Sequence, residues 1–142
     1  MADAFKIGGM GTDVLTGRTI RILATLQGAL LAGGKANFQL AGANYQVPGG
    51  VSYYITAFHL VTGAIANGAG YIEIRYADDA ALTTNPVTII NGIAMPIAQL
   101  TTTPVYPCGQ VQAPTGKYVG IWNPSGATTS NSVQAVVWGY EG

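Results

Sequence analysis

Charge is what this chain has least of. Lysine, arginine, aspartate and glutamate make up 8% of its 142 residues, against about 25% in an ordinary soluble domain. The six positive and six negative groups cancel. They are also unevenly spread: after Lys35 the next charge is Glu73, and after Asp79 the next is Lys117. Six dispersed basic residues balanced by six acids form no electrostatic footprint for a phosphate backbone, so nucleic acid is not an expected partner. A small domain with so little charge repulsion tends to associate, and much of its surface is expected to be covered in the working state by copies of itself or by another partner.

Histidine and cysteine are each present once, as His59 and Cys108. One cysteine excludes an intramolecular disulfide and gives no sign of an oxidising compartment; Cys108 reads as a small apolar filler. One histidine, set in an apolar alternating segment, cannot supply a cupin-type metal site, which needs at least two imidazoles and a carboxylate, nor does it read as the solvent-reachable base of a Ser-His-Asp arrangement. His59 is expected to be a core or interface residue. Asp3, Asp13, Glu73, Asp78, Asp79 and Glu141 are scattered, with no pair suited to acid and base work across a glycosidic bond. The chain is therefore expected not to be an enzyme, with no catalytic, cofactor-binding or metal-binding residues and no cofactor.

Two weaker features were weighed against simpler readings. Asp78, Asp79 and Asn85 could offer oxygens to calcium, but the spacing is not that of a dedicated cation loop, and a solvated turn after a strand is the simpler expectation. Gly8-Gly9-Met10-Gly11 and Gly68-Ala69-Gly70 lack both the strand-to-helix setting and the Gly-Lys-Ser/Thr of a phosphate loop. The first residues, Met1 to Lys6, include Asp3 and no apolar run, so no secretory signal is read there. Residues 51–70 are uncharged, but His59, Asn67 and glycines interrupt them and they alternate as a strand does, so no membrane span is expected.

What is abundant is period-two alternation bounded by Gly, Pro and Asn, the pattern of half-buried strands. In Gly70 to Tyr76, Ile72, Ile74 and Tyr76 share one face, while Tyr71, Glu73 and Arg75 share the other, which places the two charges on the wet side. Val51 to Thr62 sets Val51, Tyr53, Ile55, Ala57, His59 and Val61 on one face, and its length suggests cover on both faces. Ser132 to Tyr140 divides into Val136, Trp138 and Tyr140 against Val133, Ala135 and Val137. Further strands are expected at Thr19 to Leu26, in part of Phe38 to Val47, and at Val87 to Ile90, Val105 to Val111 and Tyr118 to Asn123. A helix over Ile20 to Leu31 is the competing reading from Leu23, Gln27 and Leu30, weakened by the nearby glycines. Turn signals stand at Pro48-Gly49-Gly50, Asn67-Gly68, Asn91-Gly92, Asn123-Pro124-Ser125-Gly126 and Ala127 to Ser132.

Seven or eight such strands predict an all-β, jelly-roll-like antiparallel β-sandwich over 18–142. Residues 1–17 form a glycine-rich N-terminal arm that would order only on a neighbouring subunit. Trp122 and Trp138, with eight tyrosines, could make a sugar-stacking platform; in strands, a core or subunit-contact role is the default for both.

The run Tyr45-Gln46-Val47-Pro48-Gly49-Gly50 ahead of a long strand, the second turn Pro114-Thr115-Gly116-Lys117 ahead of another, and the terminal Trp138-Gly139-Tyr140-Glu141 resemble the jelly-roll decoration, or cement, proteins on tailed-phage heads. The likeness spans residues 44–141 and rests on turn chemistry that a trimeric fibre tip or a tumour-necrosis-factor-like sandwich would share. It implies a virion structural protein on the capsid surface, made in the host cytoplasm, homotrimeric, with the major capsid protein as partner and no catalytic residues. The alternative is a trimeric fibre-tip or receptor-binding domain that recognises a cell-surface glycan.

Overall fold

The computed structural model describes residues 11–12, 18–62, 70–95, 111–124 and 132–142. They form eleven strands: β1 (Gly11–Thr12), β2 (Thr19–Ala29), β3 (Lys35–Asn37), β4 (Gln39–Leu40), β5 (Ala43–Asn44), β6 (Tyr53–Thr62), β7 (Gly70–Ala77), β8 (Val87–Met95), β9 (Val111–Ala113), β10 (Tyr118–Trp122) and β11 (Ser132–Glu141). The larger sheet runs β5-β4-β2-β11-β6-β9, with β1 also paired to β2, and the smaller runs β3-β10-β7-β8. All pairings are antiparallel. The two sheets pack as a jelly-roll-like sandwich.

The space between the sheets is filled by one cluster. From the larger sheet come Leu23, Tyr53, Ile55, Phe58, Leu60, Ala113, Ala135 and Val137; from the smaller come Ile72, Ile74, Ile93, Val119 and Ile121. Phe38, Tyr45 and Val47, from the segments that cross between sheets, close one end. Each large side chain removed from water here contributes about 1.5–3 kcal/mol. The alternation of β11 holds as expected, with Ala135 and Val137 buried and Val136, Trp138 and Tyr140 half-buried on the opposite face.

Three expectations are corrected. Ile20 to Leu31 is not helical: its first ten residues lie in β2, whose register against β11 runs from Thr19 opposite Glu141 to Ala29 opposite Ser132. Tertiary pairing with a long apolar strand overrides the local helix pattern. In β6 the expected single face is broken. Ala57 lies opposite Trp138 and Ile55 opposite Gly139, so Thr56 is the extra residue of a bulge, and its Oγ1 donates to the Trp138 carbonyl at 3.0 Å. Before the bulge Tyr53 and Ile55 face the core, and after it Phe58 and Leu60 do. Ala57, His59 and Val61 are thereby turned to the outer face. Finally, Glu73 and Arg75 are not on a wet face; both are buried, because the loop after β7 folds back over them.

The other expected strands are present, with shifted ends. Of the segment Val105 to Val111 only Val111 is among the described residues. The remainder of the 1–17 arm beyond β1 and Arg18's predecessor turn, Cys108, the Asn67-Gly68 turn and most of the run Ala127 to Ser132 also lie outside them.

Candidate functional site

The outer face of the larger sheet is the extended apolar surface of the described structure. Register fixes its rows across β2, β11 and β6: Ile20, Tyr140 and Tyr54; Ile22, Trp138 and Ala57; Ala24, Val136 and His59; Leu26, Gln134 and Val61. Leu26 is 72% exposed, and most of the others are half-buried. None of the described strands lies over them. The Tyr54 and Tyr140 rings stack at 5.1 Å, and the Arg18 guanidinium sits 4.4 Å from the Tyr140 centroid. Arg18 brings the face its charge, at one end. Such a face offers apolar and aromatic contact area and one cation; it holds no nucleophile paired with a base.

Each candidate raised from the sequence has a definite place. His59 lies half-buried in this outer face, opposite Val136, and no cluster of three metal-ligating side chains forms among the described residues. Trp138 is in the middle of the face. Trp122 lies on the outer side of the smaller sheet, where the Arg75 guanidinium covers its ring at 4.2 Å, so that ring face is already occupied. Neither tryptophan belongs to the core cluster.

The Asp78–Asn85 loop is satisfied internally. Asp79 Oδ1 accepts from the Thr83 and Thr84 amides at 2.8 and 2.7 Å, and its Oδ2 accepts from Thr83 Oγ1 at 2.7 Å. These bonds, led by the Thr84 amide, hold its pKa at about 2. Asp78 pairs with Lys117 and accepts from Asn85 Nδ2 at 2.8 Å, and these contacts lower its pKa too. With their oxygens used in this way the carboxylates act as the ties of a turn.

Leu82, at the centre of that loop, has φ +56° and is fully buried. It drops into the space above Gly120, where a Cβ would overlap it. Arg75 Nη2 donates to the Leu82 carbonyl at 2.7 Å, and Glu73 Oε2 accepts from Thr88 Oγ1 at 2.7 Å. Burial lowers the Arg75 pKa, opposed by the charges of Glu73 and Asp79. This cluster anchors a loop.

A second buried polar cluster escaped the sequence reading. Glu141 Oε1 accepts from Tyr45 OH at 2.7 Å and from Arg21 Nε at 3.2 Å, while Tyr53 OH donates to the Arg21 carbonyl at 3.0 Å. The signal was available: Glu141 continues the inward alternation of Ala135, Val137 and Gly139 on β11. Burial first, and then the Glu141 carboxylate, raise the pKa of Tyr45 well above its ordinary 10.0; Tyr53 is raised in the same way. In the folded state both phenols keep their protons to higher pH than in the unfolded chain. Their contribution to stability is therefore complete below pH 10 and is lost as pH rises beyond it. Urea midpoints should hold from pH 8 to 9.5 and fall between pH 10 and 11, and the fall should be smaller in Tyr45→Phe; a flat profile to pH 11 would show that the phenols ionise freely.

The two turns that carry the sequence resemblance meet in space. Val47 N donates to the Lys117 carbonyl at 2.9 Å and Gly116 N to the Val47 carbonyl at 2.8 Å, and Thr115 Oγ1 joins Gly50 N to the Pro48 carbonyl. Gly50 and Gly116 both have positive φ, +80° and +74°, which is why glycine stands at these positions.

No family model matches the sequence, and no curated protein or solved structure matches it.

Proposed function

We propose that this chain is a non-enzymatic structural protein of a virion, a decoration or cement protein that binds the outside of a phage head and bridges neighbouring subunits. The outer face of the larger sheet carries this reading. It sets apolar and aromatic side chains on the three longest mutually paired strands, with a single cation, Arg18, at its margin. Broad, weakly charged contact area with aromatic residues at its centre suits a subunit interface. A homotrimer and the major capsid protein are the partners this function calls for. The turn pairing of residues 47–50 with 114–117 adds support, since the resemblance to phage-head jelly rolls rests on those turns.

The test is binding of the purified protein to undecorated shells of its phage, read by co-sedimentation. Trp138→Lys should weaken binding by about 30-fold, corresponding to the roughly 2 kcal/mol of a central aromatic contact. Val87→Lys, at a position 43% exposed on the smaller sheet, should leave binding unchanged. Equal binding by both variants would remove this face from the contact, and saturation at a few copies per particle would point to a tail location instead.

A further inference from the structure

We propose that residues 1–10 fold back over the outer face of their own larger sheet and shield it until the partner displaces them. The inference rests on the reading of that face as the contact surface, and adds its regulation.

The starting point is where β1 is held. Gly11 lies opposite Ile20 and Thr12 opposite Thr19, on the side of β2 away from β11, so the chain before Gly11 begins beside the Ile20 row of the face. Carried backward, the same register would set Met10, Gly9 and Gly8 opposite Arg21, Ile22 and Leu23, and Ile7 opposite Ala24. That last place is taken: Gln39 of β4 pairs with Ala24. The segment has to leave the sheet plane by Gly8, and the two glycines there allow the sharp change of direction. On the inner side Leu23 and Leu30 are fully buried in the core. The outer side is open.

Size and chemistry agree with this path. Residues 1–7, extended at about 3.4 Å each, reach about 24 Å. The rows from Ile20 to Leu26 on β2 span six such steps, or about 20 Å. Phe5 and Ile7 are two apart, so an extended segment presents both on one side, and the face below offers Ile22, Trp138 and Val136. Asp3 is the arm's acid, and Arg18 the face's cation. A tethered segment acts at an effective concentration of about millimolar, which at micromolar protein outcompetes a second copy for the same surface. The expectation of an arm that orders on a neighbour thus changes, because β1 moors it next to its own face.

The experiment uses the Trp122→Phe protein, so that emission reports Trp138 alone. It compares the full chain, a deletion of residues 1–10, and full-length Phe5→Asp/Ile7→Asp, which keeps the arm's length and tests the idea even if the truncated chain folds poorly. In the full chain Trp138 should be poorly quenched by acrylamide, to an extent independent of protein concentration. In both altered chains quenching should rise severalfold. If the arm is closed nine-tenths of the time, their affinity for undecorated shells should improve about tenfold, since a shielded site binds in proportion to its open fraction. Equal quenching in all three proteins overturns the proposal. So does shielding that grows with concentration and survives Phe5→Asp/Ile7→Asp, which would assign the cover to a second copy. Increased quenching with weakened shell binding also overturns it, making the arm part of the contact. If quenching rises as expected but no protein binds shells, the arm does cover the face and the cement reading is what fails.

Discussion

Replacing Arg75 by alanine should lower the free energy of unfolding by about 3–5 kcal/mol, the range for breaking a buried charge interaction by removing one partner, seen as a large drop in urea midpoint. The Arg75 side chain does three things at once. It lies over the Trp122 ring, donates to the Leu82 carbonyl and places a positive charge near Glu73, which is itself 7% exposed. Alanine would leave the Leu82 carbonyl without this donor, the Trp122 ring uncovered and the Glu73 carboxylate buried without its neighbouring cation. Leu82, held at φ +56°, would lose the bond that fixes it above Gly120. The double change Glu73→Gln/Arg75→Met should recover much of the loss, because removing both charges leaves no uncompensated ion. A loss below about 1 kcal/mol, the level of an exposed ion pair, would mean that the loop opens readily and the pair is wet.

Gly139→Ala should cost about 3 kcal/mol or more, at or above the top of the usual range for overpacking. A Cβ on Gly139 would overlap the Tyr54 carbonyl and come within 2.7 Å of the Tyr53 ring carbon and hydroxyl. The carbonyl is backbone, and β11 is paired on both sides, to β2 and to β6. It cannot step aside without breaking one ladder. Tyr53 cannot move either, since its hydroxyl is bonded to the Arg21 carbonyl and its ring meets Tyr45 edge-on at 5.3 Å. The bulge at Thr56 lies in this same region and exists in part to fit Gly139 and Tyr53 together. Thermal unfolding of Gly139→Ala at near wild-type temperature would show that the bulge can shift to absorb the methyl group.

How far the sequence could be read depended on whether a feature was local. Alternation is local, and it gave the strand class, most strand positions, the two faces of β11 and the inward set Ile72, Ile74 and Tyr76 of β7. Turn chemistry is local too: Gly50 and Gly116 stand at positive φ in the turns expected to contain them. Near-absence of charge is a property of composition, and it pointed to a covered surface before any face was known.

Only the tertiary structure could decide which residues sit opposite which. Thr56 is an ordinary strand residue by propensity, and it becomes a bulge because β11 brings Gly139 and Trp138 against β6 out of step by one. That single insertion sends His59 outward and Phe58 inward. Glu73 and Arg75 read as solvent-facing because alternation reports a strand's own two sides and carries no information about a loop that returns over one of them. Glu141 and Tyr45 are 96 residues apart, and Trp138 shares its row with Ile22 and Ala57 across two other strands. Contacts between segments so distant are set by sheet register, which follows from how the whole chain packs and is not encoded in any one stretch of it.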